Sequence, residues 1–149
     1  MSTEVKVPVA ADRDMLSARA EGRALADHLG FSRTDATLIA TAISEIARNI
    51  LVHAGRGELT LAPLHEDGRA GIAVVASDRG PGIRDVKAAL EDGYSGVKGG
   101  MGLGLPGARR LMDEFEITSR LGEGTTVTMK KWRLRDELEL LHEKRSGGE

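Results

Sequence analysis

Glu45 and Asn49 stand four residues apart within Leu38 to Val52, a run without Gly or Pro, so a helix there stacks both side chains on one face. A carboxylate beside an amide oxygen can take a proton from a hydroxyl and offer a hard oxygen ligand to Mg2+. Taken alone, the pair also reads as the polar rim of a solvated helix face. Asp78 follows the apolar run Ile72 to Ala76 and precedes Gly80-Pro81-Gly82. Its carboxylate would sit at a strand end where glycines let a flat ligand approach the backbone, able to accept from an exocyclic amine; the plain alternative is an Asp-containing turn.

Seven of the 19 glycines (Gly93, Gly96, Gly99, Gly100, Gly102, Gly104 and Gly107) fall within one stretch of 15 residues. Gly102 to Gly107 formally matches G-x-G-x-x-G, but the segment ahead, Tyr94 to Gly100, is no buried strand, so a dinucleotide fold is not indicated. No P-loop, protein-kinase catalytic loop or D-F-G motif occurs. What survives is a glycine-rich segment opening a helix whose free N–H groups and dipole attract phosphate, and which could fold over a nucleotide as a lid. Lys98 and Arg109 could add positive charge there, or be solvated or paired on a helix face.

The elements that must position these groups follow from periodicity. Thr3 to Val9 alternates as a half-exposed strand, with Pro8 suggesting a sheet edge. Asp12 can cap a helix from Asp14 to Leu29 with Met15, Leu16, Ala18, Leu25, Ala26 and Leu29 as its apolar stripe, ended by Gly30. Ser32 to Asp35 has capping-box form, and Ile39, Ile43, Ile46 and Ile50 make the apolar face of the long helix that follows. Glu58 to Leu64 and Ala70 to Ser77 read as a hairpin turning at Glu66-Asp67-Gly68. A short helix over Asp85 to Leu90, a helix from about Leu103 to Phe115, and strands Glu116 to Arg120 and Thr125 to Trp132 complete the pattern. Leu134, Leu138 and Leu141 share one helical face in the tail, to pack on the domain or dock a partner. The expectation is an α/β (α+β) two-layer sandwich, its sheet mixed or mainly antiparallel, with helices on one face. Residues 1–133 form the domain and 134–149 a helical tail.

Composition narrows the function classes. At 149 residues, 40% hydrophobic and 30% charged, the chain is long enough for one self-sufficient core. Lys plus Arg total 21 against 23 Asp plus Glu, no electrostatic footprint for nucleic acid or an anionic membrane. The absence of cysteine removes thiol nucleophiles, disulfides and Cys-ligated metals. His28, His53, His65 and His142 lack paired ligand spacing, and His53 at a helix end is given no role. Met1 to Ala10 lacks a signal-peptide core and no run approaches the roughly 20 apolar residues of a membrane span, so a cytoplasmic location is expected.

The order of segments is more telling than any one. Glu45-x-x-x-Asn49 on a helix, Asp78-x-Gly80-x-Gly82, Gly100 to Leu105 opening a helix, and Gly122-x-Gly124-Thr125-Thr126 before a last strand resemble the Bergerat ATP-binding fold of the GHKL superfamily, from about Val5 to Trp132. Ser44 to Ile50, Asp92 to Ser95, Gly104 to Phe115, Gly124 to Val127 and Lys131-Trp132 look like the stressosome switch kinases of the RsbT type, relatives of anti-sigma-factor kinases. Gly96-Val97-Lys98 and the longer tail depart from that type.

The resemblance implies that Glu45 is the base, Asn49 holds Mg2+, Asp78 binds the adenine amine and Thr125 assists near it. Gly80, Gly82, Ile83, Gly100, Met101, Gly102, Leu103, Gly104 and Leu105 would complete the ATP site, with Gly100 to Leu105 closing on the phosphates. It further implies γ-phosphoryl transfer to a serine or threonine of a STAS-domain antagonist, with a stressosome scaffold and a PP2C-type phosphatase as further partners. Rival readings are an anti-sigma factor that sequesters a sigma subunit and a nucleotide-gated binding module without catalysis. A histidine-kinase fragment is disfavoured, since no dimerisation helix with a phosphoacceptor histidine precedes the fold.

Overall fold

Two long helices come early in the chain, and in the second of them the local signals agree with the burial. The structure, a computed structural model, describes residues 4–91 and 104–133. After strand β1 (Val5–Val9), helix α1 (Asp12–His28) leads through a short turn into α2 (Arg33–His53). The Ser32 hydroxyl accepts the Asp35 N–H at 3.1 Å, the serine half of the expected capping box. Helix α2 buries Ile39, Ile43, Ile46 and Ile50 as a continuous face, with Ala36, Ala40, Ala42 and Ala47 widening it.

Helix α1 departs from expectation at two points. Its N-cap is Ala11, and the carboxylate of Asp14 rather than Asp12 accepts the Ala10 and Ala11 N–H groups, at 2.9 and 3.0 Å. The Ala10 N–H, foremost, draws the Asp14 carboxyl below its ordinary range. Leu16, expected in the apolar stripe, is 66% exposed because α1 turns Ala18, Gly22, Leu25 and Ala26 inward. The two helices approach closely at Gly22, where a Cβ would collide with Ile43 Cδ1.

Strands β2 (Gly57–Glu66) and β3 (Arg69–Asp78) form the expected hairpin, longer than its sequence signals. Its two-residue turn has positive φ at both Asp67 (51°) and Gly68 (76°), the pairing whose twist matches flanking strands. Then come the short α3 (Val86–Ala89), α4 (Gly104–Leu111), β4 (Glu114–Arg120) and β5 (Gly124–Trp132). The sheet runs β1-β2-β3-β5-β4 with every neighbouring pair antiparallel. Leu59, Leu61, Ile72, Val74, Ala76, Val127 and Met129 point from one face into the core with α1, α2 and α4. The register sets Leu61, Val74, Met129 and Phe115 side by side across four strands.

The helix expected from Leu103 to Phe115 ends at Leu111, and Phe115 belongs to β4. The chain has already joined the sheet at Asp113, whose N–H donates to the Lys130 carbonyl at 2.9 Å and whose carboxylate accepts the Trp132 N–H at 2.7 Å. On the opposite face Trp132 covers Gly71, donates from Nε1 to Glu114 Oε2 at 2.6 Å, and carries the Arg69 guanidinium 4.0 Å from its ring centre. The tail with Leu134, Leu138 and Leu141 lies outside the described residues.

Ile43 is 0% exposed at the α1–α2 crossing. Ile43→Ala should lower unfolding free energy by about 3 kcal/mol, within the range for emptying a fully buried aliphatic site. Urea denaturation of both proteins measures the difference, and a change below about 1 kcal/mol would mean that the crossing collapses to fill the space.

Candidate active site

Helix α2 carries Glu45 and Asn49 one turn apart, both half-buried beside the fully buried Ile46 and Ile50. Their place at the border of the apolar face keeps them at the surface of the core. Glu45 Oε2 accepts the backbone N–H of Gly104 at 2.9 Å, joining residues 59 positions apart. Gly104 is the first residue of α4 and has φ +66°, a conformation that a residue without Cβ adopts freely. The Glu45 carboxylate therefore lies at the positive end of the α4 dipole. Leu105 to Ala108, buried behind it, seat α4 against α2.

The other end of the site is built from strand termini. Cross-strand register aligns Gly57, Asp78, Thr125 and Ser119 on β2, β3, β5 and β4. Asp78 Oδ1 accepts the Gly80 N–H at 2.8 Å, closing the turn after β3. That turn rests on the end of α2, since a Cβ on Gly80 would stand 2.6 Å from Ala54 Cβ. Gly82, at φ +81°, lies so close to the Arg120 carbonyl that a side chain would clash with it. The Pro81 carbonyl accepts the Gly122 N–H at 2.9 Å.

Ser119 is a polar residue of this cluster that lies outside the sequence motifs. Its Oγ accepts the Ile83 N–H at 2.7 Å, lies 2.8 Å from Thr125 Oγ1 and 3.2 Å from the Gly124 carbonyl. Thr125 is 5% exposed, the buried polar side chain among the described residues. A signal for Ser119 existed, because a hairpin turning at Leu121 to Glu123 sets Ser119 opposite Thr125.

Of the expected site residues, Glu45 meets Gly104 directly, Asp78 and Thr125 face each other in the strand register, Gly80 rests on the end of α2, Gly82 and Ile83 abut β4, and Asn49 stands one turn beyond Glu45 on the same helix. From Glu45 to Ala54, where the Asp78 turn rests, α2 rises about 14 Å. Arg109 is exposed on α4, beyond the Gly104 end, and among the described residues no hydrogen bond or ion pair links it to Glu45. Lys98, Gly100, Met101, Gly102 and Leu103 lie outside the described residues. Among the described residues no group of three or more His, Asp or Glu could hold a metal on its own, and no helix is long and apolar enough to cross a membrane.

Known proteins resemble this chain in sequence and in fold. Residues 9–131 match the profile of the histidine kinase-like ATPase domain. The serine/threonine-protein kinase RsbT of Bacillus subtilis is 44% identical over 132 residues, 89% of this chain and 98% of the relative. The anti-sigma F factor of Caldanaerobacter subterraneus is 33% identical over 99 residues, 63% of this chain and 68% of the relative. Among solved structures, the RsbU and RsbW domains of Rv1364c from Mycobacterium tuberculosis superpose with TM-score 0.59 at 24% identity, covering 88% of this chain and 33% of that longer one, a likeness of fold. The chain belongs to the histidine kinase-like ATPase domain family, and within it to the serine/threonine protein kinases of the RsbT type.

Proposed function

We propose that this kinase transfers the γ-phosphoryl group of ATP to a serine or threonine of a STAS-domain antagonist in a cytoplasmic partner-switching stress pathway. Once released, it would bind and activate a PP2C-type phosphatase, with a STAS-containing stressosome scaffold as a further partner. The observation that carries the catalytic part is the 2.9 Å contact between Glu45 and the Gly104 N–H. It sets a carboxylate base beside the helix end whose N–H groups and dipole suit phosphate oxygens. Phosphoryl transfer asks chiefly for such positioning and charge stabilisation.

In this reading Glu45 orients the acceptor hydroxyl and takes its proton. Asp78 and Thr125 receive the adenine, with Gly80, Gly82 and Ile83 shaping the turn against which it lies. The Gly100 to Leu105 segment closes on the phosphates. Mg2+ fits the donor set, because Asn49 adds an amide oxygen beside Glu45 and this ion keeps waters and phosphates as most of its ligands, without a cage of protein carboxylates. Asn49 would hold the ion, which when bound neutralises phosphate charge.

Glu45→Gln keeps an oxygen for the Gly104 N–H but cannot take a proton. It should slow transfer by about 10²- to 10⁴-fold and leave ATP affinity within about threefold. Asp78→Asn should weaken ATP binding by about tenfold. The measurement is the intact-mass shift of a purified STAS-domain protein incubated with Mg-ATP, together with calorimetric ATP titration; the opposite pattern in the two variants would overturn the assignment. Chelating divalent cations should abolish the mass shift in the unaltered kinase.

The anti-sigma relatives favour a second reading, in which the chain also sequesters a sigma factor. Co-purification of a sigma subunit with both the unaltered protein and Glu45→Gln would support sequestration; loss of sigma from both would exclude it.

A further inference from the structure

The hydrogens around Ser119 can be assigned by counting. A serine hydroxyl has one proton and two acceptor lone pairs. The Ile83 N–H occupies one lone pair, at 2.7 Å. The Gly124 carbonyl, at 3.2 Å, can only accept, so a hydrogen bond there uses the Ser119 proton. The second lone pair then accepts from the Thr125 hydroxyl, at 2.8 Å. This is the one arrangement in which all three contacts are hydrogen bonds. It turns the Thr125 proton toward Ser119 and leaves Thr125 Oγ1 with lone pairs alone for any ligand. Asp78, directly opposite Thr125 in the register, is also an acceptor, with Oδ1 already held by the Gly80 N–H.

We propose that Ser119 is a positioning residue that sets the hydrogen-bond polarity of the base end of the site. By taking the Thr125 proton it makes Thr125 and Asp78 a pair of acceptors on adjacent strands, which favours a purine with a 6-amino group over one with a 6-oxo group. The same oxygen ties the turn containing Ile83 to β4, so the turn and the Thr125 hydroxyl are oriented by one atom. The inference rests on the nucleotide reading above and extends it to a residue outside the set carried by the family resemblance. The discrimination follows from mispairing at position 6: there an oxo oxygen would face two acceptors and no donor, and a site that leaves polar groups unpaired rejects its wrong ligand strongly.

The test compares ATP with ITP, which replaces the 6-amino group by a 6-oxo group, by calorimetric titration of the full chain. The unaltered protein should bind ATP at least about 100-fold more tightly than ITP. In Ser119→Ala the Thr125 hydroxyl is free to turn its proton to the ligand, and the ITP-to-ATP ratio of Kd values should fall about tenfold. Ser119→Thr, which keeps the hydroxyl, should restore the ratio. In a Thr125→Val background, Ser119→Ala should change the ratio no further, because the residue through which it acts is gone. Equal weakening of both nucleotides in Ser119→Ala would reduce Ser119 to a tether of the turn and overturn the proposal. If Ser119→Ala does not fold, Thr125→Val decides: an unchanged ratio there also overturns it. A protein that binds ATP and ITP alike removes this inference alone, whereas one that binds neither removes the nucleotide reading on which it stands.

Discussion

The seating of α2 on the sheet governs everything else in the molecule. Ile39, Ile43, Ile46 and Ile50 are buried against strand residues such as Leu59, Leu61, Val74 and Met129, and this apolar contact fixes both the height and the rotation of the helix. Rotation matters because Glu45 and Asn49 sit at the edge of that face: a helix turned by one residue, about 100°, would bury one of them or point it into solvent. Height matters because the same helix touches two separate parts of the site. Near its middle, Glu45 receives the Gly104 N–H; at its end, Ala54 supports the Gly80 turn. One rigid element therefore spaces the two ends of the candidate site.

The strand termini supply the second half of the geometry, through close backbone approach. Gly57 stands 2.5 Å, by its missing Cβ, from the Ser77 carbonyl and 2.8 Å from Ile50 Cγ2. Gly124, at φ +127°, brings β5 against the Asp78 carbonyl where any side chain would collide. Glycine is required here because the turn after β3 and the β4–β5 hairpin must interlock within a few ångströms, and their polar groups then satisfy one another. No buried side-chain nitrogen or oxygen among the described residues lacks a hydrogen-bond partner. The far face of the sheet is managed differently: Trp132, lying across Gly71 between Arg69 and Glu114, ties three strands together.

Sequence and structure agree where a signal is local and doubly expressed. The Ser32 cap, the isoleucine period of α2 and the Asp67-Gly68 turn each combine a residue preference with a hydrophobic period, and each stands as read. Disagreement falls where two periods overlap. Leu111, Met112 and Phe115 satisfy a helical spacing, yet Phe115, Ile117 and Ser119 also alternate as a strand; pairing with Met129 and Val127 gave the strand the last word. Leu16 shows the complementary failure: it fits the α1 stripe by spacing, but the close approach at Gly22 rotates the helix and leaves Leu16 outside.

The kinds of residue able to do chemistry, their order along the chain and the helix or turn that carries each were legible from residue types and spacing, since capping, periodicity and turn conformation act over a few positions. The meeting of Glu45 with Gly104 was not, because it spans 59 residues and depends on how α4 packs on α2. Nor was the convergence of Ile83, Gly124 and Thr125 on the Ser119 hydroxyl, though part of it follows from hairpin register. Such contacts are set by closure of the core around nonlocal surfaces, a free energy shared by the whole chain that no short window of residues contains.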